Sequence, residues 1–149
     1  MTLELIEARY VLGQMLSDQL PAIACDLIAM GINSKSLGNL AGLSASEYPD
    51  ARELFERALL ELGRKKMSNE LALKYFTKDV SIKILSGSLT PYEGAKLIWK
   101  TYRNTNIPDT HDYDPFIYAA SEMEDRPRDR KRFERGILKE AKEWSEKII

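Results

Sequence analysis

The sequence predicts an all-α fold, and three observations support that class. Apolar residues recur at intervals of three and four positions in most segments, which is the spacing of one face of a helix. Capping residues and terminal glycines punctuate these segments, whereas the alternating pattern typical of strands is scarce. Because a chain of 149 residues fits one domain and shows no repeat, low-complexity segment or linker, we expect a bundle of about eight helices in a single domain, residues 1–149.

The first third of the chain predicts three helices. The leucine spacing places the first from about Leu3 to Leu16. Asp18 is expected to cap the second helix, with Pro21 in its first turn and Gly31 at its left-handed end. A short third helix follows from Ser34 to Gly42.

The segment "SASEYPDARELFERALLELG" predicts a fourth helix whose start is open. Ser44 and Glu47 have the spacing of a capping box, in which each side chain accepts from the other residue's backbone. Pro49 instead suits the first turn of a helix that begins near Tyr48. Gly63 is expected to end the helix. Its apolar stripe is Ala51, Leu54, Phe55, Ala58, Leu59 and Leu62.

The stretch "SGSLTPYEGAKLIWKTY" predicts a hinge between two core helices. Ser68 opens the helix before it, and Gly87 closes that helix. Thr90, Pro91 and Glu93 then form a capping box with proline at the first helical position. The glycines do not lead into the lysine and hydroxyl of a phosphate-binding loop, and the acidic start does not suit a DNA-reading helix. The apolar faces are Leu73, Phe76, Val80 and Ile84 in the first helix, and Ala95, Ile98, Trp99 and Tyr102 in the second.

The last third predicts a loop and two helices. The loop is "RNTNIPDTHDYD", residues 103–114, and Asp114 with Pro115 is expected to start the helix after it. Pro127 marks a boundary, and the final helix runs to about Lys147. The inward residues are Phe116, Ile117, Ala120 and Met123 in the first helix, and Phe133, Ile137, Ala141, Trp144 and Ile148 in the second.

Composition is that of an ordinary globular protein, with 44% hydrophobic and 30% charged residues. The apolar runs are too short to cross a bilayer, and acids occupy the N-terminal positions where a secretory signal has basic residues. The single cysteine, Cys25, cannot form an internal disulfide, and we expect it to pack as a small hydrophobic residue. The sequence thus predicts a cytoplasmic protein without membrane contact.

Charge is unevenly distributed along the chain. Residues 1–62 hold nine acids and four bases, whereas residues 63–149 hold fourteen acids and eighteen bases. Neither half has the strongly basic balance of a typical nucleic-acid binder, which argues against nucleic acid as the main partner.

The only histidine, His111, lies among Asp109, Asp112 and Asp114. Such a group could hold a divalent metal or orient the imidazole as a base. The segment does not match the calcium-loop pattern, and no second histidine is present to complete a transition-metal pair. We therefore favour a polar loop in which Asp114 caps the next helix, with no metal and no cofactor.

Acidic residues also crowd the end of the seventh predicted helix. Glu122 and Asp125, three residues apart, share a face and could act together as an acid–base or metal pair. We favour a structural role, with Glu124 paired to Arg128 and Asp125 capping the following helix.

The segment "RPRDRKRFER" carries six basic residues between positions 126 and 135. Its candidate nucleic-acid contacts are Arg128, Arg130, Lys131 and Arg132. Asp129 and Glu134 dilute the positive charge, and we expect a solvated helix face. No assembled catalytic constellation is present in the sequence, so we expect no enzymatic activity.

Four segments together carry a resemblance: "LAGLSASEY", "LFERALLELG", "ILSGSLTPYEGAKLIW" and "FIYAASEMEDRPRDR". They resemble small, all-helical bacterial cytoplasmic proteins, some of which accompany polymorphic-toxin or contact-dependent inhibition systems. The resemblance covers most of the chain from about residue 20 onward. It implies a bacterial helical protein that acts as an immunity protein, and it implies no catalytic residues.

An immunity protein needs a surface complementary to its toxin, often an acidic one when the toxin is a basic nuclease. The acids expected to be available in the first half are Glu4, Glu7, Glu47, Asp50, Glu53 and Glu56. A second candidate surface comprises Asp109, His111, Asp112, Glu122 and Asp125. A protein-binding module is thus the first choice, a nucleic-acid-binding regulator the second, and a metal-dependent hydrolase built on His111 the third.

Overall fold

The computed structural model describes all 149 residues and shows an all-α protein. It contains eight α-helices, as predicted, and no strand. The helices are α1 (Leu3–Val11), α2 (Leu20–Ala29), α3 (Lys35–Ala41), α4 (Ala51–Glu61), α5 (Asn69–Ser86), α6 (Pro91–Asn104), α7 (Asp114–Asp125) and α8 (Arg130–Glu146). Short 3-10 turns lie at Ser17–Gln19, Ala45–Asp50 and Pro127–Asp129.

The helices form two compact units. One is Gly13–Met67, which holds α2, α3 and α4, and the other joins Met1–Leu12 to Ser68–Ile149 and holds the remaining five helices. The expectation of a single domain stays a prediction.

In the unit of residues 13–67, α3 packs against both α2 and α4. Ser34 caps α3 by accepting from the backbone N–H of Leu37 at 3.2 Å. Ser36 in the first turn of α3 is buried, and its backbone N–H and hydroxyl both donate to the carboxylate of Glu61, at 2.8 and 2.5 Å. These two hydrogen bonds, which we call the Ser36–Glu61 clasp, join the start of α3 to the end of α4. The buried apolar residues are Met15, Leu20, Ala24, Leu27, Leu37, Leu40, Ala51, Phe55, Ala58 and Met67.

The capping box of Ser44 and Glu47 belongs to the 3-10 turn Ala45–Asp50. The backbone N–H of Ser44 donates to Glu47 at 3.0 Å, so the predicted reciprocal cap is present. The α-helix itself begins only after Asp50, which settles the open start of α4. Pro49 lies inside the short turn rather than in the first turn of α4.

In the other unit, α5 packs against α1, α6 and α8, and α7 packs against α6 and α8. The predicted caps at Ser68 and Thr90 are both present, and Gly87 ends α5 in the left-handed conformation at φ 81°. Gly94 of α6 lies so close to α5 that a Cβ atom there would overlap the side chain of Ile84. The core of this unit is formed by Leu73, Phe76, Val80, Ile84, Ala95, Ile98, Tyr113, Phe116, Ala119, Ala120, Met123, Phe133, Ile137, Ala141 and Trp144.

Two predicted helix ends in the first twenty residues were wrong. The first helix stops at Val11, because Gly13 takes φ 73°, a left-handed conformation that ends the hydrogen-bond ladder. Asp18 lies in the 3-10 turn Ser17–Gln19, and α2 begins at Leu20 without a side-chain cap.

The predicted stripe of the last helix was correct as far as Trp144. The helix ends at Glu146, and Ile148, which we expected to face the core, is fully exposed. None of the helices combines the length and the apolar composition needed to cross a membrane.

Candidate functional site

The loop between α6 and α7 forms one wall of a recess of about 210 Å³ against α5. The residues that line the recess include three acids and one lysine, and Tyr113 is its aromatic residue. Its lining is Glu70, Lys74, Ile107, Pro108, Asp109, Thr110, Asp112 and Tyr113. The structure therefore brings Asp109 and Asp112 of the predicted partner surface together with two residues of α5.

Tyr113 is one residue of this recess that the sequence analysis missed, as are Glu70 and Lys74 of α5. It is 2% exposed, its ring stacks on Trp144 with centroids 5.4 Å apart, and Tyr102 lies 5.4 Å away on a tilted plane. Burial, followed by the negative charge of Asp112, raises the pKa of the Tyr113 hydroxyl. The spacing of Tyr113 to Phe116 and Ala120, three and seven residues, is the helical pattern that could have identified it.

His111 lies on the same loop, with its side chain 98% exposed. Its Nδ1 atom lies 2.7 Å from Oδ2 of Asp114, and this hydrogen bond, with the negative charge of Asp114, raises the pKa of His111. Asp114 does not cap α7, contrary to our expectation, because its backbone is already the first helical residue and its carboxylate turns to His111. No group of three or more histidine, cysteine or acidic residues in the structure is arranged to hold a metal ion.

The acids at the end of α7 have partners other than those predicted. Glu124 accepts from the hydroxyl of Tyr92 at 2.8 Å and from Nζ of Lys96 at 2.5 Å, so the pairing with Arg128 was wrong. The reason is that α6 packs against α7 and presents both donors from its first two turns. The hydrogen bonds from Lys96 and then Tyr92 lower the pKa of Glu124.

Glu122 and Asp125, the pair that could have acted together, have different surroundings. Oε2 of Glu122 lies 3.1 Å from Nε of Arg126, one turn further along the chain. Asp125 is exposed at the last position of α7 and does not cap the next element, whose N-cap is Arg126. The acids at the end of α7 therefore have separate surroundings and do not share one site.

The predicted acidic surface on residues 45–56 is exposed, but part of it is already engaged. Glu47 holds the capping box with Ser44, whose hydrogen bonds lower the pKa of Glu47. Glu53 pairs with Arg57 at 2.8 Å. Asp50 and Glu56 are also exposed. The prediction that Glu7 lies at the surface was wrong. Glu7 is buried in α1, with 3% of its surface exposed.

The basic residues of the 126–135 segment are exposed, as expected. Arg128 lies in the 3-10 turn Pro127–Asp129, and Arg130 pairs with Glu134 at 3.0 Å within α8. Lys131 is exposed on α8, and the guanidinium of Arg132 lies 5.8 Å from the ring of Phe133.

Cys25 was predicted to pack in the core, and it is instead exposed on α2. The buried face of α2 is Leu20, Ala24 and Leu27, and the position after Ala24 turns about 100° away from it. The thiol lies 3.9 Å from the backbone oxygen of Ala41. Trp144 is in the core, as predicted, whereas Trp99 is half-buried with Lys96 4.7 Å from its ring centre.

No protein-family model, curated protein or solved structure matches this chain.

Proposed function

We propose that this protein is a non-catalytic protein-binding module, and that its most specific role is to neutralise a cognate bacterial toxin as an immunity protein. The observation that carries the proposal is the acidic recess, the cavity of about 210 Å³ between α5 and the loop that follows α6. The two surfaces that would contact the partner are this recess and the exposed acids of residues 45–56.

The recess suits a basic side chain of the partner. Its volume of about 210 Å³ corresponds to roughly seven liquid-water volumes, which is room for one long side chain. Glu70, Asp109 and Asp112 offer three carboxylates against the single ammonium group of Lys74. A guanidinium group is planar and carries five donors, so it can bond more than one carboxylate at once. An arginine from a basic toxin therefore has the shape and charge that this cavity complements.

The core beneath the recess supports a preorganised binding surface. Tyr113 is held between Trp144 and Tyr102, so the loop carrying Asp112 is anchored to α6 and α8. A rigid pocket loses little conformational entropy when a partner residue enters it, and such pockets concentrate binding energy in protein interfaces.

The surroundings of His111 support a non-catalytic role. A general base requires a cleft in which it reaches the proton it abstracts. His111 is instead almost fully exposed and bonded to the neighbouring Asp114. The loop therefore resembles a recognition element more than a catalytic one.

The test is to capture partners from the source cells with the tagged full chain and with the variant Asp109→Asn/Asp112→Asn. We expect the variant to lose the partner that the natural chain retains, because it removes two of the three carboxylates of the recess. The matched control is Asp18→Asn/Asp26→Asn, which makes the same change in charge at two exposed positions outside the recess. Equal capture by all three proteins would contradict the assignment of the recess.

The immunity role is tested separately by expressing the captured partner alone in bacteria. We expect it to stop growth, and we expect co-expression of the natural chain to restore growth while the recess variant does not. A partner that leaves growth unchanged would refute the immunity role and leave the binding module in place.

A further inference from the structure

The positive charge on the exposed face of α8 extends beyond the 126–135 segment. Five cations lie on it, all exposed: Lys131, Arg132, Arg135, Lys139 and Lys142. At about 100° per residue they fall within an arc of roughly 100° on the helix, opposite the buried Phe133, Ile137, Ala141 and Trp144. We call these five residues the basic stripe. Its ends are eleven residues apart, which is about 16 Å along the helix axis.

The acids that we expected to dilute this charge do not lie within the stripe. Glu134 is on the flank of α8 and pairs with Arg130. Asp129 precedes the helix, and Glu140 is half-buried on the side nearer the core. Glu143 lies at the edge of the stripe's arc and Glu146 within it, both in the last turn of α8. The first three turns therefore present cations to solvent with no acid between them.

The cations of the stripe have no carboxylate partner in the structure. The ion pairs of this region join Arg126 to Glu122 and Arg130 to Glu134, neither of which includes a stripe residue. Residues three and four apart on a helix are about 5–6 Å apart, so the stripe offers a row of closely spaced positive groups. A row of this kind matches a chain of phosphates, whose release of counterions drives binding.

An exposed aromatic ring and one cation of the stripe both lie beside the ring of Phe133. Tyr118 of α7 is 59% exposed and meets the ring of Phe133 edge-on, with centroids 6.0 Å apart. The guanidinium of Arg132 lies 5.8 Å from that same ring. Gly136, one turn after Arg132, faces open space, so no side chain covers the helix backbone there. An exposed ring beside a basic groove or stripe is the arrangement on which unpaired bases stack.

We propose that the basic stripe and Tyr118 bind single-stranded nucleic acid without sequence preference. The phosphates contact the stripe, and one base stacks on Tyr118. This inference is independent of the proposed protein partner, because it concerns a different surface and a ligand of the opposite charge to a basic toxin.

The test is fluorescence anisotropy of a labelled twelve-nucleotide single strand of mixed sequence, titrated with the full chain at ~20 to ~200 mM salt. Three to five phosphate contacts predict a slope of about −2 to −3.5 in a plot of log affinity against log salt. The variant Arg135→Gln/Lys139→Gln should lose at least about tenfold in affinity at low salt and flatten the slope by about 1.4. Tyr118→Ala should lose about tenfold while leaving the slope unchanged.

The matched control is Lys100→Gln/Arg103→Gln, which removes one lysine and one arginine from exposed positions of α6. It should bind as the natural chain does. Equal losses in the control and the stripe variant would overturn the proposal, because only overall charge would then matter. Tighter binding to a duplex of the same length, or full displacement of the strand by polyglutamate of equal charge at equal concentration, would also overturn it.

Discussion

The carboxylates of residues 44–61 and the cations of α8 show how differently two charged regions can be used. Glu47 completes a capping box, Glu53 pairs with Arg57, and Glu61 clasps Ser36. The basic stripe of α8, in contrast, has no carboxylate partner. Charge counted along the sequence therefore overstates the acidic surface that is free to bind and understates the basic one.

The difference has a physical cause in side-chain length and position. Glutamates near the ends of short helices can reach unpaired backbone N–H groups, which they satisfy. Lysines and arginines in the middle of a long helix find no unpaired backbone groups beside them, so those without a carboxylate within reach stay available. Hydrogen bonds from serine lower the pKa values of Glu47 and Glu61. These lowered values are the electrostatic sign that the two glutamates already have partners.

The largest expected effect compares two glycines. Gly94 lies against a neighbouring helix, and Gly136 faces open space. We expect Gly94→Ala to lower the free energy of unfolding by about 1–3 kcal/mol, because the new methyl group would overlap Ile84. Gly136→Ala, beside the basic stripe, should raise it by about 0.5–1 kcal/mol, because its Cβ meets nothing and alanine favours the helix. Urea denaturation of both variants measures the difference.

A double variant checks the cause of the Gly94 effect. Ile84→Ala removes the side-chain atoms that the new methyl group would meet, so the costs of Gly94→Ala and Ile84→Ala should be less than additive. Strict additivity, or a Gly94→Ala variant as stable as the natural chain, would show that α5 and α6 are not packed as described.

The second prediction concerns the clasp between Ser36 and Glu61. Glu61→Ala should lower the melting temperature near neutral pH, because two donors of Ser36, which is buried, lose their acceptor. The pKa of Glu61 is lower in the folded state, so its contribution is fully present above the unfolded pKa of about 4.3 and is lost as pH falls through the folded pKa. The difference between the natural chain and the variant should therefore shrink in acid.

Thermal melts monitored by circular dichroism at ~pH 7 and ~pH 3 measure this change. The stripe variant Arg135→Gln/Lys139→Gln serves as the comparison and should melt with the natural chain at both pH values. A difference for Glu61→Ala that is as large in acid as at neutral pH would exclude the clasp as its origin.

The smallest effect is the titration of His111. The pKa of His111 is raised by the hydrogen bond that its ring donates to Asp114, so Asp114→Asn should bring the pKa down toward the ordinary histidine value. Because the folded pKa is the higher one, the stabilising contribution is present below the unfolded pKa and is lost as pH rises through the folded pKa. His111 is the only histidine, so its ring proton resonances give the pKa by NMR without ambiguity. An unchanged pKa in Asp114→Asn would show that the pair does not form in solution.

Caps by serine and threonine were predicted well, whereas the expected aspartate caps at Asp18, Asp114 and Asp125 were wrong. Ser34, Ser68 and Thr90 all cap their helices, because a cap depends on contacts only three residues apart. Other errors came where contacts between distant segments decide the outcome. Glu124 pairs with Lys96 of a neighbouring helix instead of with Arg128. Tyr113 lies in the core, where it stacks on Trp144.

The candidate surfaces follow the same rule. The aspartates of the loop were recognised from their clustering, but their meeting with Glu70 depends on how the loop lies against α5. The sequence analysis recognised the basic segment only as far as Arg135, because Lys139 and Lys142 are dispersed along the sequence and become neighbours of Arg135 only on the helix surface. A helical projection of the whole segment, in place of a search for clustered bases, would have found it.

The stacking of Tyr113 on Trp144 has a consequence for how occupancy of the acidic recess can be observed. Tyr113 borders the cavity on one side and contacts the indole on the other. A partner side chain that enters the cavity and shifts the Tyr113 ring would alter the packing around Trp144. The fluorescent indole of Trp144 is otherwise shielded from water. We therefore expect the emission of Trp144, recorded together with that of the half-buried Trp99, to change when the cavity is filled.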